Sequence, residues 1–108
     1  MSFTGNENHS ISLEDAAALT KNYRDANINP IIGEYFGQTA IEEILAQTGC
    51  VGIRAYFAIC DPTSLEPKLR LVICGVDSSE NDILNIIAEN GSLCPPNCST
   101  ANALNSDE

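Results

Sequence analysis

Two cysteines four residues apart, Cys94 and Cys98, bracket Pro95-Pro96-Asn97. Paired prolines stiffen the loop and let the thiols turn towards each other, so the pair could close a reversible disulfide or hold a soft metal ion. The plain alternative is a structural loop. A tetrahedral zinc site needs four ligands, and one subunit supplies only two here. As a disulfide, so short a loop would constrain the unfolded chain by only about 2 kcal/mol, which staples a tail but not a fold. The sole histidine, His9, lies near the N-terminus, so no imidazole is placed to activate a thiol or hydroxyl, and a Cys-His nucleophile is not indicated.

Cations form the second constellation. Arg54, Lys68 and Arg70 are three of only five basic residues, and they fall near Tyr56 in an alternating stretch. Arg54, Tyr56 and Arg70 could hold a small anion or acidic peptide by a guanidinium fork over the ring. The competing expectation is that these cations pair with carboxylates of the chain itself, Glu42 or Glu43 among them, or with those of a dimer mate. Asp77, Ser79, Asn81 and Asp82 resemble the start of a calcium loop, yet the sixth position, which should be Gly, is Asp82 and the twelfth, which should be Glu, is Ala88. An EF-hand is excluded, and an acidic turn is expected. Adjacent Glu42 and Glu43 diverge by about 100° on a helix and cannot converge on one substrate atom. No glycine-rich phosphate loop occurs. Without an acid-base pair an enzyme ranks last among the functions considered, and no cofactor is implied.

Composition narrows the partners. Fifteen acidic against five basic residues give a formal charge of −10, which repels nucleic-acid phosphates and anionic lipids, so neither nucleic acid nor a membrane is an expected partner. The first ten residues lack the basic and apolar regions of a signal peptide, and no stretch is long enough to span a bilayer. Cys50, Cys60 and Cys74 sit in apolar runs, which fits packed thiols in a reducing, cytoplasmic setting. At 108 residues with 44% apolar content, one core is expected.

The elements that would carry these residues are legible from period and caps. Ser12 followed by Asp15 is a variant capping box, so a helix should begin near Leu13, with Ala16, Leu19, Tyr23 and Ala26 as its buried stripe until Asn29-Pro30 and Gly33 break it. Thr39 with Glu42 predicts a second helix over 40–48, stopped by Gly49. Residues 50–60 alternate, the 61–67 segment is turn chemistry, and residues 68–76 alternate again. Centring the loop on Ser64 sets Ile59 opposite Leu69, Phe57 opposite Leu71 and Ala55 opposite Ile73, with the large aliphatics on one face. The other face mixes Arg54, Tyr56, Cys60, Lys68, Arg70, Val72, Cys74 and Val76. Residues 82–90 read equally as helix, with Ser79 as cap, or as a third strand. Because a lone two-stranded ribbon is marginal, a third strand or pairing across a dimer is required.

Cys50-Val51-Gly52-Ile53-Arg54-Ala55-Tyr56, Val72-Ile73-Cys74-Gly75-Val76-Asp77, Asn81-Asp82 and Cys94-Pro95-Pro96-Asn97-Cys98 resemble a family of short uncharacterised bacterial proteins of the Bacteroidetes type, with Glu34-Tyr35-Phe36-Gly37 and residues 41–47 extending the likeness. The resemblance implies a bacterial origin and motifs that are not confined to the core. It transfers no catalytic residue.

These observations predict an α+β fold of two short helices followed by an antiparallel hairpin or three-stranded meander. The expected organisation is a flexible tail over 1–10, one domain over 11–93, and the cysteine loop with a flexible polar tail over 94–108. The expected function is a binding or regulatory partner module that self-associates as a homodimer, with a protein or small acidic ligand as its possible partner. The alternative is a thiol protein using Cys94 and Cys98.

Overall fold

Ser12 opens the first helix as the sequence anticipates. In the computed structural model, which describes residues 2–107, Ser12 is extended and its hydroxyl accepts the Asp15 N–H at 3.0 Å. Helix α1 runs Leu13–Ala26, with Glu14 and Asp15 at its positive end and Arg24 at its negative end. Asn27 stops it in the left-handed region at φ 53°, donating its N–H to the Arg24 carbonyl. The stripe is rotated from the expected one. Ala16, Ala17, Thr20, Tyr23 and Arg24 are half-buried, while Leu19 and Ala26 are exposed. Two polar ties set this face: the Tyr23 hydroxyl donates to the Ile31 carbonyl, and Arg24 holds the C-terminal segment.

Strand β1 (Gly33–Tyr35) precedes helix α2 (Gln38–Leu45). Thr39 does not cap α2. The helix starts two residues earlier than expected, with Gly37 as an N-cap that makes no side-chain bond. Gly49, expected as the helix stop, instead takes φ 81° in the turn that leads into the next strand, whose first N–H, on Cys50, donates to the Gln47 carbonyl. Ile44 is the residue of α2 that is fully buried.

Strands β2 (Cys50–Cys60) and β3 (Lys68–Asp77) pair antiparallel in the register derived from the sequence, Ile59 with Leu69, Phe57 with Leu71, Ala55 with Ile73. Residues 82–90 resolve to a strand, β4 (Asp82–Ala88), which completes the meander β2-β3-β4. The Asp77 carboxylate makes the tight turn before it by accepting the N–H groups of Ser79 and Asn81. Strand β5 (Ser92–Cys94) pairs with β1 in a separate two-stranded sheet. The result is a small α+β fold.

Side chains stitch the sheets together. β4 reaches β3 only from Ile73 onward, so the N–H groups of Leu69 and Leu71 need other acceptors. Asn29 Oδ1 takes the first at 3.2 Å and Glu34 Oε1 the second at 2.8 Å, while Asn29 also donates to the Pro67 carbonyl. Two side chains thus stand in for a strand.

The core comprises Ile31, Ile44, Ile73, Cys74 and Val76. It draws on both faces of β3 but spares β2, which departs from the sequence expectation. Ile53, Phe57 and Ile59, on the supposed core face, are exposed, Phe57 by 86%. The helical layer is too small to cover that face beyond Gly75, where α2 lands: a Cβ at Gly75 would sit 3.4 Å from Ile44.

Both terminal segments make contacts with the domain. Phe3 donates its N–H to the Ser78 carbonyl, and Gly5 lies so close to Val51 that a Cβ there would come within 2.8 Å of its carbonyl oxygen. At the other end Arg24 donates to the carbonyls of Leu104 and Ser106 and to Asp107. Met1 and Glu108, the outermost residues of those tails, lie outside the described residues.

Candidate functional site

The cations singled out by sequence do not share one site. Arg54 and Tyr56 project from the same face of β2 and converge on Asp82, the first residue of β4, each bonding one of its carboxylate oxygens. The Arg54 guanidinium also approaches the Glu80 carbonyl at 3.4 to 3.5 Å. Arg70 is engaged elsewhere. Its Nη2 lies 3.4 Å from Glu34 Oε2 and 3.5 Å from Glu89 Oε2 and donates to the Gly91 carbonyl at 3.2 Å. Neither Glu42 nor Glu43 is the partner; Glu42 accepts from Gln38 within α2.

The two clusters differ in burial. Glu34 is 2% exposed and Arg70 15%, so theirs is an interior pair that ties the β1-β5 sheet to the meander. Gly91 makes room for it, since a Cβ there would lie 2.7 Å from Glu34 and 2.6 Å from the Tyr35 carbonyl oxygen. Arg54 and Asp82 are partly open to solvent, and Tyr56 is half exposed.

Electrostatics assign the roles at Asp82. The hydrogen bond from Tyr56, followed by that from Arg54, holds its carboxyl below the usual carboxylate value. The same bond to Asp82 raises the Tyr56 hydroxyl above its ordinary value, so the phenol stays protonated as a donor. Burial pushes the neighbouring Cys74 thiol up, with the Asp82 charge adding to it. A protonated phenol, a committed guanidinium and an un-ionised thiol around an ionised carboxylate make a locked network rather than a nucleophile with its base.

A titration follows from this. A carboxyl whose value is depressed on folding contributes stability at pH above the unfolded value and loses it as pH falls through the folded one. Below about pH 4, the region of the unfolded Asp value, the urea midpoint of the native chain should therefore fall more steeply than that of Asp82→Asn. Parallel curves for the two proteins would show that Asp82 contributes nothing to acid sensitivity.

Cys94 and Cys98 are brought together as a disulfide with a Cα separation of 4.7 Å. Cys94 ends β5, and its carbonyl accepts the Ile32 N–H at 2.8 Å. The peptide bonds before Pro95 and Pro96 are cis, the Asn97 N–H returns to the Leu93 carbonyl, and residues 95–98 are exposed. Of the other cysteines, Cys50 and Cys60 are half-buried free thiols and Cys74 is buried. Among the described residues no three His, Cys, Asp or Glu side chains are grouped to hold a metal ion. His9 lines a cleft of about 410 Å³ with Phe3, Glu7, Arg54 and Val76, and no residue of the cysteine loop is among its walls.

Sequence reasoning missed the acceptors. Glu34 carried a signal, a lone carboxylate within the apolar run from Ile31 to Phe36, and Asp82 was visible only as a turn residue. The chain matches no family model, no curated protein and no solved structure. No helix among the described residues is long and apolar enough to cross a membrane.

Proposed function

We propose that this protein is a small binding module that works by self-association, its contact surface being the apolar strand β2. The observation behind this reading is the exposure of Ile53, Tyr56, Phe57 and Ile59 along one edge strand, 46%, 47%, 86% and 54% respectively. Single exposed apolar side chains are ordinary, but Ile53, Phe57 and Ile59 lie on one face of the strand and form a contiguous patch of the kind that marks a protein interface, with Tyr56 half exposed on the other face. The cations favour the same conclusion by default. Arg54 and Arg70 already hold intrachain carboxylates, which leaves less of their charge for an added anion than the sequence suggested.

A second reading rests on the Cys94–Cys98 bond. An exposed disulfide closing a short loop is reachable by small thiols, so the loop could cycle between dithiol and disulfide, taking two electrons and two protons from a partner dithiol that is itself oxidised. A persistent bond of this kind fits an oxidising compartment, whereas the three free thiols fit the cytoplasm.

Native mass spectrometry with and without reductant tests both readings. A dimer in both conditions supports self-association, and a monomer throughout overturns it. A gain of two hydrogens per chain on mild reduction, reversed by oxidised glutathione, supports the redox loop. A loop that resists millimolar dithiol in the folded protein contradicts it.

A further inference from the structure

Sheet edges differ sharply in this molecule. The outer strand β4 is interrupted: its register against β3 jumps from Ile87 opposite Cys74 to Ile83 opposite Gly75, so residues 84–86 bulge out of the ladder. Such irregularity is a recognised way to blunt an edge. The opposite edge, β2, has no such protection. From Ile53 to Cys60 it pairs with β3 without a shift, and it contains neither Pro nor Lys. Among the described residues nothing bonds to the outer backbone of this stretch. Towards the N-terminal end of the strand the edge is closed, because Gly5 lies against Val51.

Charge selects the occupant. The chain carries −10, yet no carboxylate lies between Cys50 and Cys60, and the single charged side chain there, Arg54, is neutralised by Asp82. Two copies that repel each other over most of their surface can approach here. We infer that β2 pairs antiparallel with β2 of a second copy, joining two three-stranded meanders into one six-stranded sheet. This rests on the self-association reading and specifies its geometry.

The register is set by what lies at each end. A twofold axis perpendicular to the sheet keeps each face continuous across the junction. With the axis at Tyr56, Ile53 faces Ile59 of the second copy, Ala55 faces its Phe57, and Arg54 faces its Ala58. Every pair on the exposed face is then apolar. Centring on Phe57 would put Ile53 opposite Asp61 of the second copy. Centring on Ala55 would run Ile59 onto Val51, where Gly5 already lies. The axis at Tyr56 avoids both.

Engineered cysteines test the register in the full chain. Under a glutathione redox buffer, Ile53→Cys mixed with Ile59→Cys should give about tenfold more disulfide-linked dimer than either variant alone, since like positions lie about 20 Å apart across the axis. Both side chains are exposed, so folding should survive. Tyr56→Cys should cross-link by itself, and native Cys60, about 27 Å from its counterpart, should not. If the protein sediments as a dimer but the mixture shows no preference, or if Cys60 cross-links, this edge register is wrong while self-association stands. If it sediments as a monomer, both fall. Capture of a different protein on β2 in place of a second copy would likewise overturn the inference.

Discussion

Replacing Glu34 with Ala should cost about 3–5 kcal/mol of folding stability, the range for removing one partner of a buried ion pair. Three losses coincide. Arg70, 15% exposed, is left with the Gly91 carbonyl and the more open Glu89 carboxylate; the Leu71 N–H loses its acceptor; and the junction between the two sheets loses its central tie. Against a total stability of about 5–15 kcal/mol for a domain of ordinary size, that is a large share. Urea unfolding followed by circular dichroism should show a midpoint shifted far down. Glu34→Gln should fall between, because it keeps an oxygen for Leu71 but presents an amide to the guanidinium. A loss below about 1 kcal/mol for Glu34→Ala would place this pair among surface ion pairs, contrary to its burial.

Phe57→Glu should abolish self-association while leaving the fold intact. Phe57 is 86% exposed, so its replacement should change folding stability by no more than about 0.5 kcal/mol. In the assembled sheet it faces Ala55 of the second copy, one residue from the axis at Tyr56, so the two new carboxylates would approach each other across the junction on a face of the strand that otherwise holds none. Apolar contact is lost and like charges are brought together, and the dimer should weaken about a hundredfold, or about 2.7 kcal/mol. Size-exclusion chromatography with light scattering measures it. A variant with native circular dichroism that still elutes as the wild type does would exclude this face from the interface.

Local chemistry made much of this fold readable in advance. Period-two alternation and the 61–67 turn gave β2 its bounds, β3 its start and the β2-β3 register, because a slip of one residue would have moved every aliphatic to the other face; β3 runs one residue further than the alternation, to Asp77. The Ser12 cap was equally local. What escaped the sequence depends on tertiary supply. Alternation shows that Ile53, Phe57 and Ile59 share a face, but not that two short helices and a three-residue strand are too little material to cover it. The Thr39 box looked sound, yet the helix begins at Gln38 behind Gly37, which supplies no side-chain cap, and Thr39 falls inside its first turn. Residues 82–90 form a strand against Ile73 to Val76 of β3, whose outer edge needed partners, while Leu69 and Leu71 further along that edge are served by Asn29 and Glu34. At the candidate site, sequence identified the cations and not their acceptors, since Glu34 is 36 residues from Arg70 and Asp82 is 28 from Arg54, and each reaches its cation only through the sheet pairing.

Sedimentation velocity of the full chain, from about 5 to 500 µM, measures self-association most directly over dissociation constants typical of weak to moderate complexes. The expected result is a monomer-dimer boundary that shifts to dimer with concentration. It should shift further with added salt, because two chains of charge −10 repel and screening relieves that repulsion while the apolar β2 contact persists. A single boundary of monomer size at the highest concentration, unchanged by salt, would contradict the account.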